Sequence, residues 1–481
     1  MEDQVVRGIR WTLLGYGASR AGSLLITFIL ARLLVPRDFG IVAFGSLLIA
    51  GFALFGTLGL ASAIVVRQDL GRSELRTALT LMVVTYLACA AVIVAASPLA
   101  SDLLDEPRAG SVLRGLTIPL LFGGVTWFYA AVMQRELQFS RQFACMAGQV
   151  IAIAMTAIPL AATGAGVWSL VAGQIAGAVA YTSLLVSLAP YRLRPAFDRR
   201  VARSLCGSGW GFMLQGGVSF VEQNADYAVV GTKVGVHQLG LYSMAYRIGE
   251  IPSSFVVEPI AQATFPGFAR MLGRSEDVAT TFLTTLRLTA TCALPLGLIA
   301  AGAAHPLVIA ILGEKWHAVI GLLQILGLWG SLRVVHATIG WFVNSMGHSA
   351  RVGTSYAAML VASIPLLIVA AEFGGAEGVA WVMVGNVATM IAIVGTIAHR
   401  HAGVSARRQW SAVRASVVGA VPAWLAASAA AEVGADLPVG IALVVSLAAG
   451  LGAYVGTVYV LDRTVMVDAR AQLARMLSSD S

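Results

Sequence analysis

The chain consists of long apolar runs separated by short breaks of proline, glycine and charge. Runs of about 18 or more apolar residues can cross a bilayer as helices, and they recur over the whole length. The breaks include Pro36, Gly164, Gly166, Gly374 and Gly375. The pattern predicts about fourteen spans in an all-α polytopic membrane protein. They lie near residues 9–34, 40–66, 77–97, 111–133, 142–163, 167–189, 204–233, 239–264, 282–304, 317–345, 352–371, 377–399, 411–431 and 438–461.

Composition excludes a soluble globular protein. Hydrophobic residues make up 58% and charged residues 12% of the chain, with a mean hydropathy of +0.81, whereas soluble domains carry about 25% charged residues. The first run is too long for a signal-peptide core and has no small-residue cleavage site, so we expect it to remain as the first spanning helix.

The cysteines and the net charge indicate neither a cofactor nor a nucleic-acid partner. Cys89, Cys145, Cys206 and Cys292 are scattered singly through apolar runs, so we expect neither a metal site nor a disulfide framework. The net charge of +8 fits basic loops that orient a membrane protein better than it fits nucleic-acid binding.

Basic residues in the short loops predict the orientation. Placing the N-terminus in the cytoplasm puts most of the loop arginines inside, and the opposite loops then hold only Arg37, Arg108 and Lys315. The positive-inside rule therefore predicts a multi-pass plasma-membrane protein with both termini in the cytoplasm.

The chain also shows a weak internal repeat. Residues 33–41 match residues 233–241 at the same place in each half, and Trp11 and Trp210 open the two halves. The basic run 191–203 fits a linker between them, with orientation of the loop as its simpler role. Parallel repeats of this kind place a solute site between the halves. The predicted limits are a six-helix lobe (1–190), a basic cytoplasmic linker (191–203), a second six-helix lobe (204–400), a further helix pair (401–462) and a cytoplasmic tail (463–481).

Polar side chains recur at helical spacing in four of the spans. A charge at bilayer depth costs roughly 2.5–3.5 kcal/mol on insertion scales, so it normally faces a polar cavity. We therefore interpret the stripes as the wall of a solute pathway, and Pro252 predicts a kink in one of them. The stripes are Tyr16, Arg20, Ser23 and Thr27; Gln215, Glu222, Asp226 and Lys233; Arg247, Glu250, Ser254 and Glu258; and Trp329, Arg333, His336, Gly340 and Asn344.

Three arginines suggest what the pathway carries. The guanidinium fork matches phosphate geometry, so Arg20, Arg247 and Arg333 indicate an anionic, phosphate-bearing solute. Tyr16 and Asn224 complete the predicted substrate-binding set.

Three acidic residues accompany the arginines. Glu222, Asp226 and Glu250 either hold the arginines while the site is empty or bind a coupling proton or sodium ion. The structural alternative pairs Glu222 and Asp226 with Arg247 or Arg333 in salt bridges that fix helix packing, and it treats His336 as a hydrogen-bonded packing residue. These readings stay open from the residues alone.

An enzymatic function has little support. The chain contains no P-loop, GxSxG, HExxH or Asp-rich diphosphate motif. The loops are too short to hold a catalytic domain outside the bilayer. We therefore expect a transporter that carries no cofactor.

Several stretches resemble a known family. They are ILARLLVPRDFG (29–40), NADY (224–227), VG (230–231), GLYSMAYR (240–247), FP (265–266) and LGEKW (312–316). Together they are similar to the Wzx-type polysaccharide flippases, colanic-acid-type branch, of the multidrug/oligosaccharidyl-lipid/polysaccharide (MOP) superfamily. The resemblance covers about residues 8–400. The chain departs from the pattern at Arg37, where an acid is commoner, and at Thr232 and Lys233.

The resemblance implies a mechanism. It implies two six-helix lobes around a V-shaped cavity that alternately opens to either side. The transported molecule would be a polyprenyl-pyrophosphate-linked oligosaccharide for cell-surface polysaccharide, moved to the outer leaflet of a bacterial membrane. Arg20, Arg247 and Arg333 are the candidates for binding its pyrophosphate, and polysaccharide polymerase machinery is a possible partner.

Two rival functions remain. A cation-coupled multidrug exporter on the same fold predicts that Arg20 and Arg333 are dispensable. A membrane-embedded glycan polymerase or ligase usually needs a large outer loop, and the short loops argue against it.

Overall fold

A computed structural model of the chain consists of helices joined by short turns. It describes residues 2–57, 59–66, 71–136, 138–257, 260 and 275–462, and the side chains of 2–16, 62–63, 66, 205–215 and 275–277 lie outside the described part. No strand occurs within these residues. The fold divides into two compact units, Met1–Gly240 and Leu241–Ser481.

The first unit contains the helices before the predicted midpoint and the helix that follows the basic run. Asp198 caps that later helix, because its carboxylate accepts hydrogen bonds from the backbone N–H groups of Arg200 (2.8 Å) and Val201 (3.3 Å). The elements are α1 (Glu2–Leu33), α2 (Pro36–Thr57), α3 (Leu60–Val66), α4 (Arg72–Leu104), α5 (Ala109–Arg135), α6 (Phe139–Ala162), α7 (Val167–Leu188), α8 (Arg199–Val229) and a π-helical turn (Val230–Val234).

The second unit begins within α9 (Val236–Gly249). After Pro252, where a kink is predicted, the chain changes to a π-helical turn (Ser253–Val257). The following elements are α10 (Ser275–Gly302), α11 (Ala304–Ile311), α12 (Val319–Ser345), α13 (Ser349–Ala402), α14 (Ala406–Val433) and α15 (Val439–Leu461).

The structure confirms a helical membrane protein but divides some spans differently. In the described part of the chain, 10 helices are long and apolar enough to cross a membrane. The predicted span 40–66 becomes α2 and the short α3, whereas the predicted spans 352–371 and 377–399 are two arms of α13. The arms meet at Gly375, whose φ of 57° and ψ of −145° only glycine adopts easily. The number fourteen stays a prediction.

Side-chain hydroxyl groups join the helices of the second unit. Thr338 on α12 donates to Thr289 on α10 at 3.1 Å, and Thr291 contacts Ser416 on α14 at 3.0 Å. Tyr454 on α15 donates to the Thr291 carbonyl at 2.9 Å. Such hydrogen bonds hold helices together where apolar burial cannot distinguish protein from lipid.

The repeated segments 33–41 and 233–241 contact each other within the first unit. A Cβ atom at Gly40 would overlap with the carbonyl oxygen of Val236, and one at Gly240 would overlap with that of Pro36. The two contacts are reciprocal, because the repeat matches Gly40 with Gly240 and Pro36 with Val236 and so makes the two contacts equivalent. Glycine is required at both positions because the backbones touch.

A second backbone contact joins α9 to α12 in the second unit. A Cβ atom at Gly330 would overlap with the carbonyl oxygen of Gly249, and one at Gly249 would lie 2.6 Å from that of Leu326. The end of α9 therefore lies directly against the middle of α12. This contact fixes which side chains of the two helices can meet.

The α9–α12 contact predicts the effect of a single methyl group. Gly330→Ala must separate the two backbones, so we expect a lower thermal unfolding midpoint for the purified protein, with a loss of about 1–3 kcal/mol. Gly340→Ala on the same helix is the control, because a Cβ atom there has no neighbour within 4 Å. Equal midpoints for the two variants would contradict the contact.

Candidate functional site

Arg333 lies midway along α12 and contacts Glu250, Tyr246 and Trp329 within the second unit. Its Nη2 atom is 3.3 Å from Oε1 of Glu250, and its Nη1 atom donates a 3.0 Å hydrogen bond to the Tyr246 hydroxyl. The guanidinium carbon lies 5.0 Å from the centre of the Trp329 ring. A carboxylate, a phenol and an aromatic face together match the charge and the planarity of guanidinium.

The close crossing of α9 and α12 produces this arrangement. Tyr246 and Glu250 are four residues apart, so they share one face of the chain at the end of α9. The ring of Tyr246 packs 4.6 Å from that of Trp329, centre to centre. With the backbones in contact at Gly249 and Gly330, the carboxylate of Glu250 reaches Arg333.

The pair is partly open to its surroundings. The side chains of Arg333 and Glu250 keep 23% and 26% of their surface exposed. The attraction is therefore stronger than between fully solvated charges, yet an incoming anion can reach the guanidinium. The arrangement can exchange one acceptor of Arg333 for another.

His336 forms a separate contact one turn further along α12. Its Nε2 atom is 3.0 Å from the hydroxyl of Tyr356 at the start of α13, and the two rings are nearly perpendicular. This is the hydrogen-bonded arrangement of the structural alternative. The polar stripes do not include Tyr246 or Tyr356. The four-residue spacing of Tyr246 and Glu250 is the signal that points to the first of them.

Other predicted site residues lie in the first unit. Arg20 is exposed on α1, and Glu222 is half-buried on α8. Asn224 donates from Nδ2 to the Phe220 carbonyl of its own helix at 2.9 Å. Asp226 is fully buried.

Further members of the stripes lie in both units. Lys233 is exposed in the π-helical turn of the first unit, and Arg247 is exposed on α9 in the second. Ser254 donates to the Glu250 carbonyl at 3.1 Å. Glu258 and the side chains of Tyr16 and Gln215 lie outside the described residues.

The VPRDFG stretch builds a charge cluster at the start of α2. Asp38 and Glu106 are buried, and Arg37 pairs with Glu106. Arg108 lies 3.2 Å from Glu106 and 3.9 Å from Asp38. Burial raises the pKa of Glu106, but hydrogen bonds from Arg108 and Arg37 outweigh it and hold the pKa below its usual value. Arg37, unusual at this position, thus has an acidic partner between α4 and α5.

Proteins similar to this chain are named for the biosynthesis of succinoglycan and lipopolysaccharide. The succinoglycan biosynthesis transport protein ExoT of Rhizobium meliloti is 25% identical over 80% of this chain and 78% of its own length. The lipopolysaccharide biosynthesis protein WzxC of Escherichia coli is 24% identical over 79% of this chain and 77% of its own length.

Solved structures with a similar fold are transporters. The lipid II flippase MurJ in an inward closed conformation has a TM-score of 0.74 at 12% identity and covers 95% of this chain and 99% of its own. An inward-facing multidrug transporter of the MATE family in the MOP superfamily has a TM-score of 0.63 at 14% identity, covering 80% of this chain and 95% of its own. At these identities the likeness concerns the fold.

A family comparison covers all the stretches that carry the resemblance. The sequence profile of the family described as Polysaccharide biosynthesis protein matches residues 29–321, which is more than half of the 481 residues. The match contains the VPRDFG stretch at its start and the LGEKW stretch near its end. The chain therefore belongs to this family of polysaccharide biosynthesis proteins.

Proposed function

We propose that this chain is a flippase that translocates polyprenyl-pyrophosphate-linked oligosaccharide units across the plasma membrane by alternating access. The observation that carries the proposal is Arg333, a partly exposed arginine midway along an apolar helix. The name of ExoT, a transport protein, and the similarity in fold to the flippase MurJ support transport rather than catalysis.

Arg333 binds the pyrophosphate by exchanging its partners. In the structure Glu250 forms an ion pair with the guanidinium, and the Tyr246 hydroxyl accepts a hydrogen bond from it. A pyrophosphate carries more charge than one carboxylate and accepts a bidentate pair of hydrogen bonds, so it replaces Glu250 when it enters. Glu250 returns when the lipid leaves. The arginine thus never lacks an anionic acceptor at bilayer depth.

The other predicted residues complete the pathway. Arg20 and Arg247, both exposed, offer further cations to the pyrophosphate, and Tyr16 and Asn224 contact the substrate. Glu222 and the buried Asp226 take up a coupling proton or sodium ion. These assignments follow from helical spacing in the sequence.

The proposal includes the arrangement of the chain in the membrane. It has fourteen spans, two six-helix lobes (1–190 and 204–400), a linker (191–203), a further helix pair (401–462) and a tail (463–481). Both termini are cytoplasmic. Polymerase machinery accepts the delivered oligosaccharide on the outer side.

Removing the Arg333 guanidinium tests the proposal. We expect purified wild-type protein in proteoliposomes to translocate a labelled polyprenyl-pyrophosphate oligosaccharide, and Arg333→Ala to lower the rate roughly tenfold to a hundredfold, since a charge-assisted hydrogen bond contributes about 1.5–3 kcal/mol. Arg20→Ala should also lower it. Arg408→Ala, an exposed arginine at the start of α14, is the matched control. Wild-type protein that exports a cationic dye and flips no lipid would instead indicate a multidrug exporter.

Removing the competing carboxylate should have the opposite effect on binding. Glu250→Gln keeps the shape of the side chain but gives up its charge, so inorganic pyrophosphate should bind roughly fivefold more tightly, the equivalent of about 1 kcal/mol for a partly exposed ion pair. Calorimetric titration of the full-length protein measures this. Glu250→Asp is the charge-keeping control, and weaker binding by Glu250→Gln than by Glu250→Asp would rule out the exchange.

Coupling is tested on the two carboxyl groups of α8. We expect wild-type translocation to respond to an imposed proton or sodium gradient, and the double variant Glu222→Gln/Asp226→Asn to lose that response. Neither amide can release a proton at neutral pH or offer a full charge to sodium. The rate is measured with and without each gradient. A double variant that still responds as the wild type does would remove both residues from coupling.

A further inference from the structure

A second basic cluster lies at the open end of the α13 hairpin. The two arms of α13 turn back at Gly375, so the start and the end of this 54-residue helix lie on the same side. His348 precedes the first arm, Arg351 lies in its first turn, and His401 lies in the last turn of the second arm. These residues belong to none of the polar stripes of the sequence, because His401 is 50 residues away from Arg351 along the chain.

The three side chains meet at hydrogen-bonding distance. The Nη1 atom of Arg351 is 2.6 Å from Nε2 and 3.2 Å from Nδ1 of His401, and 3.5 Å from Nδ1 of His348. The two imidazole rings lie 4.4 Å apart, centre to centre. The rings therefore hold one nitrogen of the guanidinium and orient the plane of its fork.

No carboxylate balances this cluster within the described residues. The ion pairs among the described residues involve other arginines. Arg351 contacts these residues through its Nη1 atom, and its Nε and Nη2 atoms form no hydrogen bond with them. Arg351 and His401 are exposed, and the exposed His399 and Arg400 are adjacent in sequence. Among the described residues, the cluster therefore has no acceptor that carries negative charge. A metal cation is disfavoured, because the guanidinium would lie against it.

The surroundings keep the cluster in place at the edge of the membrane. The side-chain amide of Gln409 donates to the carbonyl oxygens of Gly395 (3.0 Å) and Val404 (2.9 Å), which fixes the turn after His401. The adjacent Trp410 is 54% exposed, as is usual for a tryptophan at the level of lipid headgroups. The sequence predicts one membrane span in each arm of α13, 352–371 and 377–399, and the cluster lies just beyond the outer ends of both predicted spans.

We propose that Arg351, His348 and His401 bind a phosphate group, supplied by the headgroup of an anionic membrane phospholipid. The guanidinium presents its Nε and Nη2 donors to two phosphate oxygens as a fork. Basic pockets at the ends of membrane helices bind anionic headgroups in this manner. The bound lipid ties together the two ends of the α13 hairpin. The site does not depend on which solute the chain transports.

The test compares lipid retention by full-length protein and two arginine variants. Purified protein is exposed to mixed micelles containing phosphatidylglycerol or phosphatidylcholine, and bound lipid is counted by native mass spectrometry. We expect wild-type protein to retain phosphatidylglycerol at least fivefold more than phosphatidylcholine, and Arg351→Gln to lose that preference. Arg408→Ala, which also removes one exposed arginine of the same side, should keep it. Arg351 is exposed, so its replacement leaves packing intact.

Further arms identify the source of the phosphate. If inorganic phosphate at millimolar concentration displaces phosphatidylglycerol from wild-type protein but not from Arg351→Gln, the same site accepts soluble phosphate. If it displaces nothing while the Arg351 preference holds, the ligand is the lipid headgroup. The double variant His348→Gln/His401→Gln should weaken retention at least threefold. Equal loss of the lipid preference in Arg351→Gln and Arg408→Ala would overturn the proposal, since general charge would then account for the binding. No loss in either variant would also overturn it, since Arg351 would then make no contribution to lipid binding.

Discussion

The candidate site depends on one backbone contact, the crossing of α9 and α12 at Gly249 and Gly330. Two helices with side chains at the crossing are held about 8–10 Å apart, and here the chains themselves touch. The short carboxylate of Glu250 can therefore reach Arg333 across the crossing. In a membrane, where lipid is as apolar as leucine, such small-residue contacts supply packing that the hydrophobic effect cannot. The site and the fold thus share one cause.

The lipid environment also explains why Arg333 has the acceptors Glu250 and Tyr246 next to it. A charge midway along an apolar helix is costly, and pairing lowers that cost. A fully buried pair would be too stable to exchange. The exposure of about a quarter of each side chain leaves the pair weak enough for a doubly charged anion to displace the carboxylate. Partial exposure is therefore as important to the proposed flippase as the charge itself.

The sequence was sufficient for the helices and for part of the site. Apolar runs predicted the helical membrane fold, and the spacing on α12 placed Arg333, Trp329 and His336 on one helix. Periodicity could not pair helices, so the partnership of Glu250 with Arg333 stayed one of several alternatives. Tyr246 was missed because a tyrosine in an apolar run carries no charge to mark it. The two spans predicted on either side of Gly375 are the two arms of α13, but a glycine break alone did not reveal that the chain turns back there.

The two arginine clusters of the second unit differ in one respect that suits different tasks. Arg333 has a carboxylate beside it, whereas Arg351 has two imidazole rings and, in the described residues, no acid. An arginine with an acidic partner binds a phosphate in exchange and can release it, which transport requires. An arginine without one keeps its phosphate, since no neighbouring acid competes with the phosphate for the guanidinium. The presence or absence of an acid next to the arginine, rather than the arginine itself, therefore separates a transport site from a permanent lipid anchor.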